Sequence, residues 1–119
     1  MEKIKCLLIF YSGTNNTTYI TNKLKTRLDN GGYDVDVYRI NPMNLEKLDL
    51  SKYSLIGVGY PIYGFNMPGI VDKFFRKQKF VPNQRVFVYK NSGETLSAND
   101  SSSLMLKHKI KHDKANFTN

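Results

Sequence analysis

The chain has 119 residues, a net charge of +8 and 40% apolar residues, enough for one domain with one core and too few for two. Its single cysteine, Cys6, excludes a disulfide scaffold, and no apolar stretch reaches the roughly 20 residues that span a bilayer. The N-terminus lacks the long apolar region and small-residue cleavage site of a secretion signal. A cytoplasmic setting without membrane contact is therefore expected, with Cys6 acting as a small buried hydrophobe.

Lys3–Tyr11, KIKCLLIFY, is an almost unbroken apolar run, the pattern of a strand covered on both faces. Thr17–Asn30 carries Ile20, Leu24 and Leu28 on one helical face, and Gly31-Gly32 stops it. Tyr33–Ile40 alternates apolar and polar, as a strand near a sheet edge does, with Asp34 and Asp36 on the solvated face. Asn41–Lys52 is a connector with an expected helical turn around Leu45–Leu48. Ser54–Tyr60, SLIGVGY, is a second buried strand. Pro61–Met67 is an aromatic, glycine-containing loop. Pro68 suits the first position of a helix reaching about Gln78, with Ile70, Val71, Phe74 and Phe75 turned inward. Gln84–Tyr89 is a further strand, Lys90–Ser101 a polar loop, and Ser102–His112 a last helix. Strands alternating with helices imply an α/β fold with a parallel sheet and right-handed crossovers. In a doubly wound sheet of this kind the ligand lies at the carboxyl ends of the strands, near the switch point.

Three loops leave the sheet at that edge: Ser12–Thr17, Pro61–Met67 and Lys90–Thr95. The first is the densest in donors, since Ser12 to Thr18 holds six hydroxyl or amide side chains in seven positions. A helix cap needs one such residue. A strand running into a helix N-terminus also offers free N–H groups and the positive end of the helix dipole. The loop has no lysine or arginine, so neutral donors would hold the anion, which suits a phosphate monoester. A Walker loop, a dinucleotide fingerprint and a nucleophile elbow are absent from these residues. Cys6 lies in the strand rather than the loop, which excludes a cysteine phosphatase.

The stretch IFYSGTNNTTYI resembles the phosphate-binding loop of flavodoxins, roughly aromatic-[ST]-x-[ST]-x-N-T, with Ser12, Thr14, Asn16 and Thr17 on the pattern. GVGYPIYGFNMP resembles the loop packed on one flavin face, and YKNSGE the loop on its other side. The likeness is nearest to the flavodoxin-like domain of bacterial and archaeal flavodoxin–ferredoxin fusion proteins, although no iron–sulfur cysteine run is present. It implies a single flavodoxin-like domain over residues 1–119, with strand order 2-1-3-4. The fifth strand is expected to be missing, so that the domain is incomplete at its C-terminus. It also implies FMN as cofactor. Ser12, Gly13, Thr14, Asn15, Asn16 and Thr17 would hold the phosphate. Pro61, Ile62, Tyr63 and Gly64 would lie along the ring, and Asn91, Ser92, Gly93 and Glu94 at its pyrimidine edge. Asn15 departs from the glycine common in the family, and asparagine tolerates a left-handed backbone. An aromatic such as Tyr63 suits stacking on the flat ring, and a carboxylate such as Glu94 beside it would help set a low potential.

The implied function is electron transfer through bound FMN, with ferredoxin-like or reductase partners and no catalytic acid, base or nucleophile. Two alternatives stay open. One is a flavin-dependent NAD(P)H or quinone reductase. The other is a cofactor-free module whose basic half contacts nucleic acid or an acidic protein, with strand Gln84–Tyr89 an exposed edge open to dimerisation or to a strand from another chain. Ten basic residues face four acidic ones in residues 61–119, against eight and six in residues 1–60. The excess is expected to be a solvated helix face and a charged terminus, and nucleic acid is not the expected partner. His108 and His112 have metal-ligand spacing but no third ligand, so no metal is expected.

Overall fold

The computed structural model describes residues 3–11, 15–61, 69–91, 111, 113 and 116–118. Its elements are β1 (Ile4–Phe10), α1 (Asn15–Asn30), β2 (Tyr33–Arg39), β3 (Leu55–Pro61), α2 (Gly69–Arg76), β4 (Arg85–Asn91) and β5 (Asn116–Thr118). The strands form one parallel sheet in the order β2-β1-β3-β4-β5. The first four stand in the order expected from the sequence. β5 is a correction, because a fifth strand is present: it pairs with Arg85–Phe87 of β4. Three residues with one apolar side chain leave no run that sequence periodicity could detect. This pairing occupies Arg85–Phe87 of the β4 edge on which the dimerisation alternative rests.

Strand geometry sorts the core residues onto the two faces of the sheet, because successive side chains point opposite ways. Leu7 and Ile9 of β1, Ile56, Val58 and Tyr60 of β3, and Val86 of β4 form the larger cluster with Val71, Phe74 and Phe75 of α2. Cys6, Leu8 and Val35 form the other, covered by Leu24 and Leu28 of α1 and by Phe87 and Tyr89. Each fully buried aliphatic or aromatic side chain contributes about 1.5–3 kcal/mol. Phe75 anchors an aromatic group, edge-on to Phe74 at 5.1 Å and stacked with Phe80 at 6.1 Å between centroids. Ile70, expected to turn inward, is partly buried against this cluster.

The α1 stripe is wider than the apolar residues alone indicate. Thr17 and Thr21, one turn apart, are 1% and 0% exposed. The helix ends as expected, with the Gly31 N–H donating to the Arg27 carbonyl at 3.0 Å. Gly32 sits at φ 94°, where a side chain would be strained.

The connector between β2 and β3 corrects another expectation. Residues 44–50 form neither helix nor strand. Their backbone groups are satisfied instead by two buried amides. Gln78 accepts from the Leu48 N–H at 2.8 Å and donates to the Glu46 carbonyl. Gln84 donates to the carbonyls of Leu50 and Tyr53 at 2.8 and 2.7 Å. A buried backbone group needs a partner, and here side chains thirty or more residues away supply it. Asp36 is likewise not merely solvated, since its carboxylate accepts a 2.7 Å bond from the Tyr53 hydroxyl. The last expected helix, Ser102–His112 with its two histidines, lies outside the described residues apart from helical Lys111.

Candidate functional site

Residues Phe10, Gly59 and Tyr89 lie in register across β1, β3 and β4. The Tyr11 N–H donates to the Gly59 carbonyl at 2.9 Å, and the Ile40 N–H to the Phe10 carbonyl at 2.8 Å. The three neighbouring strands therefore finish side by side. Tyr11 precedes the first loop, Pro61 closes β3 and Asn91 closes β4, with Pro61 and Asn91 paired. The crossovers settle which edge this is. α1 packs against the face carrying Cys6 and Leu8, and α2 against the face carrying Leu7 and Ile9. The chain thus changes face between β1 and β3, which makes this carboxyl edge the switch point.

The candidate residues divide accordingly. Asn15 and Asn16 are the first residues of α1, and Thr17 is its third. Pro61 is buried at the end of β3, and Asn91 ends β4. Ser12, Gly13 and Thr14, Ile62, Tyr63 and Gly64, and Ser92, Gly93 and Glu94 lie outside the described residues. Thr17 is the informative member. Its Oγ1 is fully buried and has no hydrogen-bond partner among the described residues. A buried hydroxyl without a partner costs about 1–3 kcal/mol. It sits in the first turn of a helix, where unpaired N–H groups favour an anion.

Thr21, one turn further on, shares a 2.7 Å hydrogen bond with the Tyr89 hydroxyl. Sequence reading missed this pair, since a threonine within a polar helix and a tyrosine at a strand end carry no distinguishing signal. The Tyr89 ring crosses β3 at Gly59, where an added Cβ would fall inside the ring's contact distance, 2.6 Å from the hydroxyl oxygen. Burial pushes the Tyr89 phenol well up from its ordinary value, so it stays protonated. Gly57 makes the same room for Phe87, 2.5 Å from the position of an added Cβ. The glycine spacing of IGVGY in β3 thus reads as space for the rings of β4.

No family model matches the sequence, and no curated protein matches it. Solved structures do match the fold. Oxidised flavodoxin 2 from Bacillus cereus superposes with a TM-score of 0.76 at 19% identity, covering 97% of this chain and 80% of that one. The chain has the flavodoxin-like fold. A flavodoxin from the domain Archaea gives 0.74 at 14% identity over 98% of this chain and 79% of its own. Two-electron reduced Megasphaera elsdenii flavodoxin gives 0.71 at 20% identity over 94% and 80%. The flavodoxin-like sheet brings the flanks of all three loops to one edge. Among the described residues no group of histidine, cysteine or carboxylate side chains could hold a metal. Nor is any described helix long and apolar enough to cross a membrane.

Proposed function

We propose that this chain binds FMN at the carboxyl edge of its sheet and carries electrons between redox proteins. The observation that carries the reading is Thr17 Oγ1, buried and without a partner among the described residues at the first turn of α1. A phosphate oxygen there would relieve the cost of that hydroxyl and meet the N–H groups of Asn15 and Asn16. Ser12, Gly13 and Thr14 complete the proposed cradle. Pro61, Ile62, Tyr63 and Gly64 are assigned to one side of the ring, with Tyr63 as the stacking residue. Asn91, Ser92, Gly93 and Glu94 are assigned to its polar edge. Bound FMN supplies the reversible transfer of electrons and hydrogen; the protein's residues orient it, exclude water and set the charge around it. The flavodoxins of matching fold support the choice of flavin over other phosphate monoesters. Adding FMN to the purified protein is expected to quench flavin fluorescence and shift the absorbance bands, followed by reversible bleaching with dithionite. Unquenched fluorescence and a colourless protein after gel filtration would contradict the proposal.

A further inference from the structure

The amino edge of the sheet, opposite the candidate flavin site, carries a second feature. Two clefts of about 720 and 320 Å³ open there and share Ile4 and Ser54 in their walls. Lys3, Lys5 and Lys52 line the first, and Arg85 lines the second. All four cations are exposed. The ion pairs among the described residues, Lys25–Asp29 and Arg76–Asp72, involve none of them. Asp34 is the carboxylate that lines these clefts among the described residues. Between the cations Ile4 is 52% exposed, and the half-buried Leu55 and Tyr33 form an apolar floor.

Four cations gathered around a single lining carboxylate repel one another, and a large apolar side chain among them loses contact with core. One occupant answers both features. We infer that the amino edge docks an acidic polypeptide that carries apolar side chains. Carboxylates of such a segment would meet Lys3, Lys5, Lys52 and Arg85, while its apolar side chains would cover Ile4 and enter the clefts. A nucleic acid fits less well, because phosphate contacts have no use for the apolar floor. Seven-residue strands separate the two edges by roughly 20 Å, so a partner held here leaves the carboxyl edge open. Docking at the amino edge does not depend on bound flavin.

The test is fluorescence anisotropy of a short fluorescein-labelled peptide of glutamates interrupted by leucines, titrated with the full chain. Lys5→Glu/Lys52→Glu is expected to weaken binding at least about tenfold, and Lys5→Gln/Lys52→Gln by an intermediate factor. Lys23→Glu/Lys73→Glu makes the same change in net charge on the outer faces of α1 and α2, and is expected to weaken it less than about threefold. Ile4→Ser should weaken the leucine-bearing peptide but leave an all-glutamate peptide unchanged. Circular dichroism checks that each variant remains folded. Equal losses in the two Glu double variants would overturn the inference, as would preference for a single-stranded oligonucleotide over the peptide. Indifference to Ile4→Ser would also overturn it, since the apolar part would then be unused.

Discussion

Tyr89 of β4 reaches across Gly59 of β3 to share a 2.7 Å hydrogen bond with Thr21 on α1. Three elements meet in that contact, one helical turn beyond Thr17 at the candidate phosphate site. Tyr89→Phe leaves the Thr21 hydroxyl buried without this partner and should cost about 1–3 kcal/mol. Gly59→Ala drives a methyl into the ring and should cost about 1–3 kcal/mol or more. Removing the ring in Gly59→Ala/Tyr89→Leu should make the alanine cheaper than it is alone, a coupling that urea unfolding of the four proteins measures. Additive effects would show that the ring does not fill that space.

Gln78 holds the connector at Glu46 and Leu48 from the far side of the core. Gln78→Ala deprives a backbone N–H and a carbonyl of their partner, for an expected loss of about 1–3 kcal/mol. Hydrogen exchange should rise first at Leu48, before the core strands β1 and β3 lose protection.

Cys6 is fully buried, and burial pushes its thiol from the ordinary 9.0 to about 12. The thiolate is the reactive form. Ellman's reagent is therefore expected to leave the native protein unlabelled and to react at the rate of unfolding. Fast labelling in native buffer would place the thiol at the surface.

Alkaline pH should destabilise the fold. Burial, followed by the hydrogen bond to Asp36, raises the Tyr53 hydroxyl from 10.0 to about 12. Cys6 moves upward as well. In both cases the folded state retains the proton after the unfolded chain has released it, so stability is full below about pH 9 and falls toward pH 12. Melting temperature followed across that interval should drop, and Tyr53→Phe should reduce the fall above pH 10. A melting temperature that holds or rises over this range would contradict the linkage.

Much of the fold is legible in the sequence because it rests on apolar periodicity. The run at Lys3–Tyr11, the four-residue spacing of Ile20, Leu24 and Leu28, and the inward set Val71, Phe74 and Phe75 place β1, α1 and α2. What escapes is carried by polar residues whose partners are distant. Gln78 and Gln84 look exposed in one dimension and are 2% and 4% exposed in three. Asp36 finds Tyr53 only once β2 and the connector are folded. β5 has one apolar residue, too little pattern to detect. In the candidate site the donor density of Ser12–Thr18 was visible, whereas the burial of the Thr17 hydroxyl depends on α1 lying against the sheet.

In the proposed function, Thr17 Oγ1 donates a hydrogen bond to the phosphate of FMN. Fluorescence-quenching titrations of the wild-type chain and of Thr17→Val, each with FMN and with riboflavin, address it most directly. Valine keeps the volume and removes the hydroxyl. The account predicts that wild type binds FMN much more tightly than riboflavin, that Thr17→Val weakens FMN by about tenfold (about 1.4 kcal/mol), and that riboflavin binding stays unchanged. Equal affinity of the wild type for the two flavins, or loss of riboflavin and FMN in equal measure in the variant, would contradict it.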